Sequence, residues 1–425
     1  MSSAALEHIN DLSAFVAASP SSFHAAAEAA RRLAAAGFTE LLETEAWEPA
    51  AGGHYVIRDG AIIAWVQPED ATATTGFHIV GSHTDSPSFK LKPKPTTGAH
   101  GWLQAGVEVY GGPLLNSWLD RELLLAGRLV LLDGTEVLAR TAPMLRFPQL
   151  AIHLDRAVND GLALDKQQHM NPVWGIGDPG QGDVLAVLAE AAGVDAAEIG
   201  GYDVVVADAQ RGEVFGGSGE FFASGRLDNL SSVHASLTAL VHHAALGGGE
   251  HIAVLAAFDH EEIGSASRSG ASGPFLQDVL ERIGHGLGAT LQDRNRAYAD
   301  SVCLSADAGH SVHPNYPGRH DPANRPLLGA GPLLKINANQ RYATDAVGAA
   351  LFARLCATAD VPYQEFVSNN QMPCGSTIGP LTATRLGIRT VDVGIPLLSM
   401  HSAREMCGVA DPLRLARISE AFFAA

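Results

Sequence analysis

Residues 252–265 read IAVLAAFDHEEIGS, and this stretch decides the fold. Ile252 to Ala257 is an unbroken apolar run of strand length, the pattern of a strand buried on both faces. Asp259, Glu261 and Glu262 follow where such a strand ends, and Gly264 breaks the pattern behind them. Carboxylates gathered at the end of a buried strand are costly unless solvated, paired or bound to metal. In open α/β sheets the carboxyl ends of the strands are also where ligands bind. One of Glu261 and Glu262 is therefore expected to hold a metal and the other to move a proton. Neighbours on an extended backbone point opposite ways, so the two are not expected to share a role.

The rest of the chain must supply the missing ligands, and its composition allows this. A length of 425 residues accommodates two domains, or one large domain with an insertion. With 46% apolar and 17% charged residues it can bury a substantial core. A net charge of −18 argues against nucleic acid and against an anionic membrane surface as partners. No apolar run approaches the roughly 18 residues that span a bilayer. Glu7 and Asp11 precede the first basic residue, Arg31, which is not the pattern of a secretory signal. Cys303, Cys356, Cys374 and Cys407 are scattered without a CxxC pair, as expected of reduced thiols in a cytoplasmic protein.

Upstream of the decisive stretch, helical spacing predicts helices over 4–18 and 23–36, and a hairpin is expected at 55–57 and 61–66. A strand at 77–80 runs into GSHTDSP, residues 81–87. His83 and Asp85 lie two apart, a spacing that suits a metal-binding histidine beside an orienting carboxylate. From about residue 89 to 225 the texture changes to KLKPKP and a series of strands at 106–110, 122–132 and 204–207, with a helix at 182–192. Candidate ligands are sparse there apart from His153. An inserted domain used for assembly and active-site coverage is expected. GRLDNL then places Asp228 at the head of an apolar helix reaching Ala245. An aspartate there is ordinarily a cap, worth about 1 kcal/mol.

Downstream, a strand at 301–305 ends in Asp307 and His310. Lys335 opens KINANQRY, a helix is expected over 345–357, and the glycine-rich loop MPCGSTIGP leads to a strand at 390–393. His401 lies in SMHSAREM. The strand-end inventory is thus His83, His401, Asp228, Asp307, Glu261 and Glu262. Two divalent metals sharing a bridging carboxylate require about five protein ligands, plus an acid that is not a ligand. Imidazole and carboxylate without thiolate suit zinc, with cobalt or manganese as alternatives. Paired metals clamping a hydroxide against a carbonyl are the arrangement of hydrolases that include aminopeptidases.

The motifs SPSSFHA with AGF, GSHTDSP, QLAIHL, GRLDNL, FDHEEIGS, DAGHSVHPNY, KINANQRY, MPCGSTIGP and SMHSAREM occur in order across nearly the whole chain. In them the sequence resembles the M18 metallopeptidases, and among these the aspartyl aminopeptidases. The resemblance implies an α/β fold: a zinc-peptidase α/β/α sandwich, residues 1–88 and 226–425, interrupted by a β-rich assembly domain, residues 89–225. It also implies a tetrahedral dodecamer.

By motif, His83 and Asp307 would bind one metal, Glu262 and His401 the other, and Asp228 both. Glu261 would be the general base and Asp85 the orienting aspartate. His310 would contact substrate, and Lys335 would meet the acidic side chain of peptides beginning with Asp or Glu. His153 would reach the site of a neighbouring subunit. Two other readings remain open here: a related enzyme with a different substrate (a neutral-residue aminopeptidase, a carboxypeptidase or a deacylase), and a non-catalytic scaffold of the same fold.

Overall fold

The structure is a computed structural model that describes residues 2–48 and 50–425. Its centre is the decisive strand, Ile252–Phe258, every residue of which is buried. Side-chain alternation explains why the run is apolar throughout. Ala253, Leu255 and Ala257 join the core on one face of the sheet, and Val254, Ala256 and Phe258 join the core on the other. The hairpin strand Ala61–Gln67 divides in the same way, with Ile62, Ala64 and Val66 on one face and Ile63 and Trp65 on the other.

This strand belongs to a nine-stranded mixed sheet. It pairs antiparallel with Ala61–Gln67 and parallel with Phe77–His83. Phe77–His83 pairs parallel with Val302–Ala306, which in turn pairs parallel with Arg389–Gly394. Helices Ser3–Ala18, Ser22–Ala35, Leu227–Ala245, Ala346–Thr358 and Asp411–Phe423 pack on one face through Leu12, Leu33, Leu240, Phe352 and Phe422. Phe275–Gly286, Leu291–Ala299 and Ile378–Leu386 cover the other through Phe275, Ala297 and Ile378. The fold is an α/β/α sandwich, as expected.

Residues 88–208 build a second, six-stranded sheet. Its strands run in the order Glu136–Arg140, Leu123–Leu131, Ile199–Asp208, Ser88–Thr97, Trp102–Tyr110, Val173–Ile176. Their pairings are antiparallel. This sheet has its own core around Phe89, Trp118, Leu125, Phe147 and Val204. The strands at 102–110 and 199–208 extend beyond the expected 106–110 and 204–207, because ladder pairing continues past the apolar centre. The chain returns through Phe221–Ser224, which pairs antiparallel with Glu405–Gly408. Among the described residues, no helix is long and apolar enough to cross a membrane.

Candidate metal centre

Strand register gathers the site. In the parallel centre of the sheet, Phe258 aligns with His83 and Ser305 with Gly81. The ladders therefore bring the residues just after Phe258 and Ser305 to the same sheet edge as His83. Asp228 arrives from a kink in the first turn of Leu227–Ala245, where its backbone (φ −81°, ψ 101°) is not helical. It does not act as the helix cap that its sequence position suggests. The residue at the N-cap position is Arg226, which makes no side-chain cap bond.

The donors converge. The His83 Nε2 atom lies 3.4 Å from Asp228 Oδ1 and 3.6 Å from Asp307 Oδ1. The His401 Nε2 atom lies 3.5 Å from Asp228 Oδ2 and 3.4 Å from Glu262 Oε2. Each oxygen of the Asp228 carboxylate thus faces a different histidine. The Glu261 Oε2 atom approaches His83 Nε2 at 3.9 Å, outside direct bonding distance. Donor atoms of His83, Asp228 and Glu262 lie within 4.8 Å of one another.

Glu261 and Glu262 approach different histidines, His83 and His401, but they do not lie on extended backbone as expected. They occupy a 3₁₀ turn, Glu261–Ile263, bracketed by left-handed residues His260 (φ 65°) and Gly264 (φ 96°). Such a conformation favours glycine at Gly264. The turn is held by Asp85, whose Oδ1 accepts the Glu261 N–H at 3.0 Å and whose Oδ2 accepts the Glu262 N–H at 3.1 Å. The Asp85 backbone oxygen also lies 3.0 Å from His83 Nδ1, and its Oδ1 lies 3.4 Å away. One residue thereby orients a histidine and a pair of glutamates.

Charge is out of balance here. Burial lifts the Glu261 carboxyl to about 8; Asp307, Asp228 and Asp85 add to that against the opposing His83. Glu262 is pushed well above the usual range by burial and then by Asp228. Burial disfavours a charged His401, yet the Asp228 carboxylate outweighs it and holds the imidazole at about 9. Asp228 Oδ1 and Glu262 Oε1 are buried without a hydrogen-bond donor among the described residues. Four carboxylates and two imidazoles with orphaned oxygens have the chemistry of a divalent-cation cradle. The residues fit such an ion.

Glu261, Glu262, Asp228, Asp307, His310, Lys335 and His401 line one cavity of about 450 Å³. A second cavity of about 340 Å³ lies behind Asp85 and Asp228, where Asp259 lines it, but it lacks Glu261, Glu262, Asp307 and His401. The first is the open side of the cluster.

The sequence matches the model of the Aminopeptidase I zinc metalloprotease (M18) family over residues 15–423. The chain belongs to the M18 family of metalloaminopeptidases. It is 55% identical over 419 residues to the probable M18 family aminopeptidase 2 of Streptomyces coelicolor, a match covering 98% of this chain and 97% of that relative. Among solved structures it is similar to one from a cryo-EM study of the Ape4 and Nbr1 complex, with a TM-score of 0.95 and 36% identity over 99% of this chain and 86% of that one. The S. cerevisiae mApe1 dodecamer gives 0.85 and 30%, covering 99% and 96%. This M18 chain is therefore a hydrolase of the metalloprotease class.

Two residues expected at the site of this M18 chain sit differently from a simple reading of their motifs. Lys335 is only 1% exposed; its Nζ donates to the Ala308 carbonyl at 2.7 Å and lies 3.5 Å from Asp307 Oδ2. It is nonetheless the one lysine or arginine among the described residues lining the open cavity. His153 is exposed and lies outside that cavity, between the exposed Ile152 and Leu154.

Two further residues escaped the sequence reading. Tyr110 donates its hydroxyl to Asp85 Oδ2 at 2.7 Å, and Glu405 accepts the backbone N–H groups of Asp228 and His401. No local signal marks Tyr110. Glu405 carried one, an acid four residues after a candidate histidine.

Proposed function

We propose that this chain is a dinuclear aminopeptidase that removes N-terminal Asp or Glu from peptides. The observation that carries the dinuclear reading is the Asp228 carboxylate, which presents one oxygen to His83 and the other to His401 at 3.4 and 3.5 Å. His83 and Asp307 would hold one ion, Glu262 and His401 the other, with Asp228 shared. Zinc fits this donor set best, with cobalt or manganese as alternatives. When bound, such ions polarise a scissile carbonyl and acidify water.

The chain's own groups do the rest. Glu261, half-buried on the wall of the open cavity, takes a proton from water on a carboxylate oxygen and delivers it to the leaving amine. Asp85 fixes the backbone from which Glu261 projects. His310 and Lys335 line the same cavity and are placed to meet the substrate. The lone cation on that wall supports an acidic side chain in the pocket. A neutral-residue preference is the second reading, favoured by the Lys335 Nζ being engaged by Asp307 and Ala308.

Residues 89–225 would serve as the assembly domain of a tetrahedral dodecamer, in which His153 reaches a neighbour's site. Support comes from the exposed apolar neighbours of His153 and from the dodecameric assembly of a similar protein. Free, buried Cys303, Cys356 and Cys407 are in keeping with the cytoplasm.

The test is a panel of aminoacyl anilides with the metal-loaded protein, using Glu261→Gln as the inactive control. Asp- and Glu-anilides should turn over fastest. Faster cleavage of Leu-anilide would select the neutral reading, and wild-type rates in E261Q would overturn the base assignment.

A further inference from the structure

Asp228 and His401 come from opposite ends of the chain's second half, and both stand on irregular backbone. Asp228 occupies the non-helical first turn of its helix, so its N–H has no helical carbonyl to bond. His401 has a left-handed backbone, φ 66°, in the turn before Glu405–Gly408. Left-handed conformations are unfavourable for residues with a side chain and persist where surroundings hold them.

One carboxylate serves both. Glu405 Oε2 accepts the Asp228 N–H at 2.9 Å, and Glu405 Oε1 accepts the His401 N–H at 2.7 Å. Glu405 is 1% exposed, and the short strand it opens pairs antiparallel with Phe221–Ser224, with Ser224 opposite Glu405. That register sets the offsets. Asp228 lies four residues after Ser224 and His401 four before Glu405, so both chain segments turn back over the same carboxylate.

We infer that Glu405 is a positioning residue of the metal centre, which sets the separation of Asp228 and His401 through their backbones and never touches an ion itself. The inference rests on the reading of this cluster as the metal site. Removing a group that orients ligands typically weakens metal binding by about 10–100-fold. Glutamine keeps the volume of Glu405 but replaces one of its two acceptor oxygens with an NH₂ donor, which opposes a backbone N–H.

The experiment measures zinc affinity of the full-length wild type and of E405Q by competition with a fluorescent zinc indicator, beside thermal midpoints of the chelator-stripped proteins. Zinc affinity lowered by about 10-fold or more with an unchanged metal-free midpoint is the expected result. Glu405→Asp, which restores the second acceptor, should recover part of the loss. Equal zinc affinity in wild type and E405Q overturns the inference, as does a fall in the metal-free midpoint with affinity retained. If E405Q does not fold, E405D carries the same comparison, and wild-type zinc affinity in it overturns the inference. A wild type that binds no zinc would instead sink the metal reading itself.

Discussion

The Tyr110 hydroxyl donates to the Asp85 carboxylate at 2.7 Å, joining the six-stranded sheet to the residue that orients His83. The corner after Tyr110 continues the grip. The Gly112 carbonyl lies 3.0 Å from His401 Nδ1, and the Leu114 N–H donates to the His401 carbonyl at 2.9 Å. Gly111 between them has φ 69°, and a Cβ there would come within 3.1 Å of Glu262 Cβ. Both histidines of the cluster are thus oriented with help from residues 110–114. A hydrogen bond to a charged group is worth about 1.5–3 kcal/mol. Tyr110→Phe should therefore weaken zinc binding about tenfold while leaving the second sheet folded, measured by indicator competition and far-ultraviolet circular dichroism. Unchanged affinity would mean that the two backbone N–H groups on Asp85 suffice to hold it.

Under the proposed acidic-substrate reading, Lys335 would act on specificity through a charge already partly engaged. A 4 Å ion pair at an effective dielectric near 20 has a Coulomb term of about 4 kcal/mol before desolvation. Desolvation and the Asp307 contact at 3.5 Å reduce what remains for a substrate carboxylate. A net 1–2 kcal/mol corresponds to a factor of about 5–30. Lys335→Ala should lower kcat/KM for Asp-anilide by about that factor more than for Leu-anilide. Equal losses on the two substrates would remove Lys335 from the specificity pocket.

Metal removal should destabilise the fold, because the cluster then keeps its buried carboxylates without a counter-charge. Binding to the folded state alone stabilises by about 4 kcal/mol when free ligand stands at 1,000 times Kd. Thermal midpoints should fall on chelation and recover with added zinc. Asp228→Asn should abolish most of that recovery, since the shared carboxylate becomes a neutral amide. A midpoint indifferent to chelator in the wild type would contradict a resident metal.

How much of this was legible in the sequence follows from the range of each interaction. The strand at 252–258 and its terminal acids were readable because an apolar run followed by carboxylates is a local signal. The candidate ligands His83, Asp307 and His401 could be singled out because each ends or follows a short apolar run. The separation of Glu261 from Glu262 was expected for the wrong reason. His260 and Gly264 adopt left-handed backbone and tighten the segment into a 3₁₀ turn. Tyr110 and Glu405 act across sheet pairings between distant segments, and no local pattern records which residue a strand will meet. Lys335 was read as a cation free to meet a substrate carboxylate, and nothing local announced that its short strand is buried between Arg389–Gly394 and Gln364–Phe366.

Acid sensitivity should arise away from the site, at His8. This residue of the first helix is 8% exposed, and its Nε2 has no hydrogen-bond partner among the described residues. Its ring meets His234 edge-on at 4.7 Å. His234 Nε2 in turn lies 2.7 Å from Asp11 Oδ2, which also receives Arg32 at 2.7 Å. Burial, then the neighbouring His234, lowers the His8 pKa from 6.5 to about 3, against a smaller opposing pull from Asp11. The unfolded chain therefore binds a proton below pH 6.5 that the folded chain refuses until about pH 3. Stability must fall as pH drops through that window, by about 1.4 kcal/mol per unit for this one group. His8→Phe keeps an aromatic edge against His234 and removes the titration. Between pH 7.5 and 5 the wild type should lose about 2 kcal/mol more than H8F, read as the difference in their unfolding midpoints. Parallel losses in the two proteins would place the acid-labile group elsewhere.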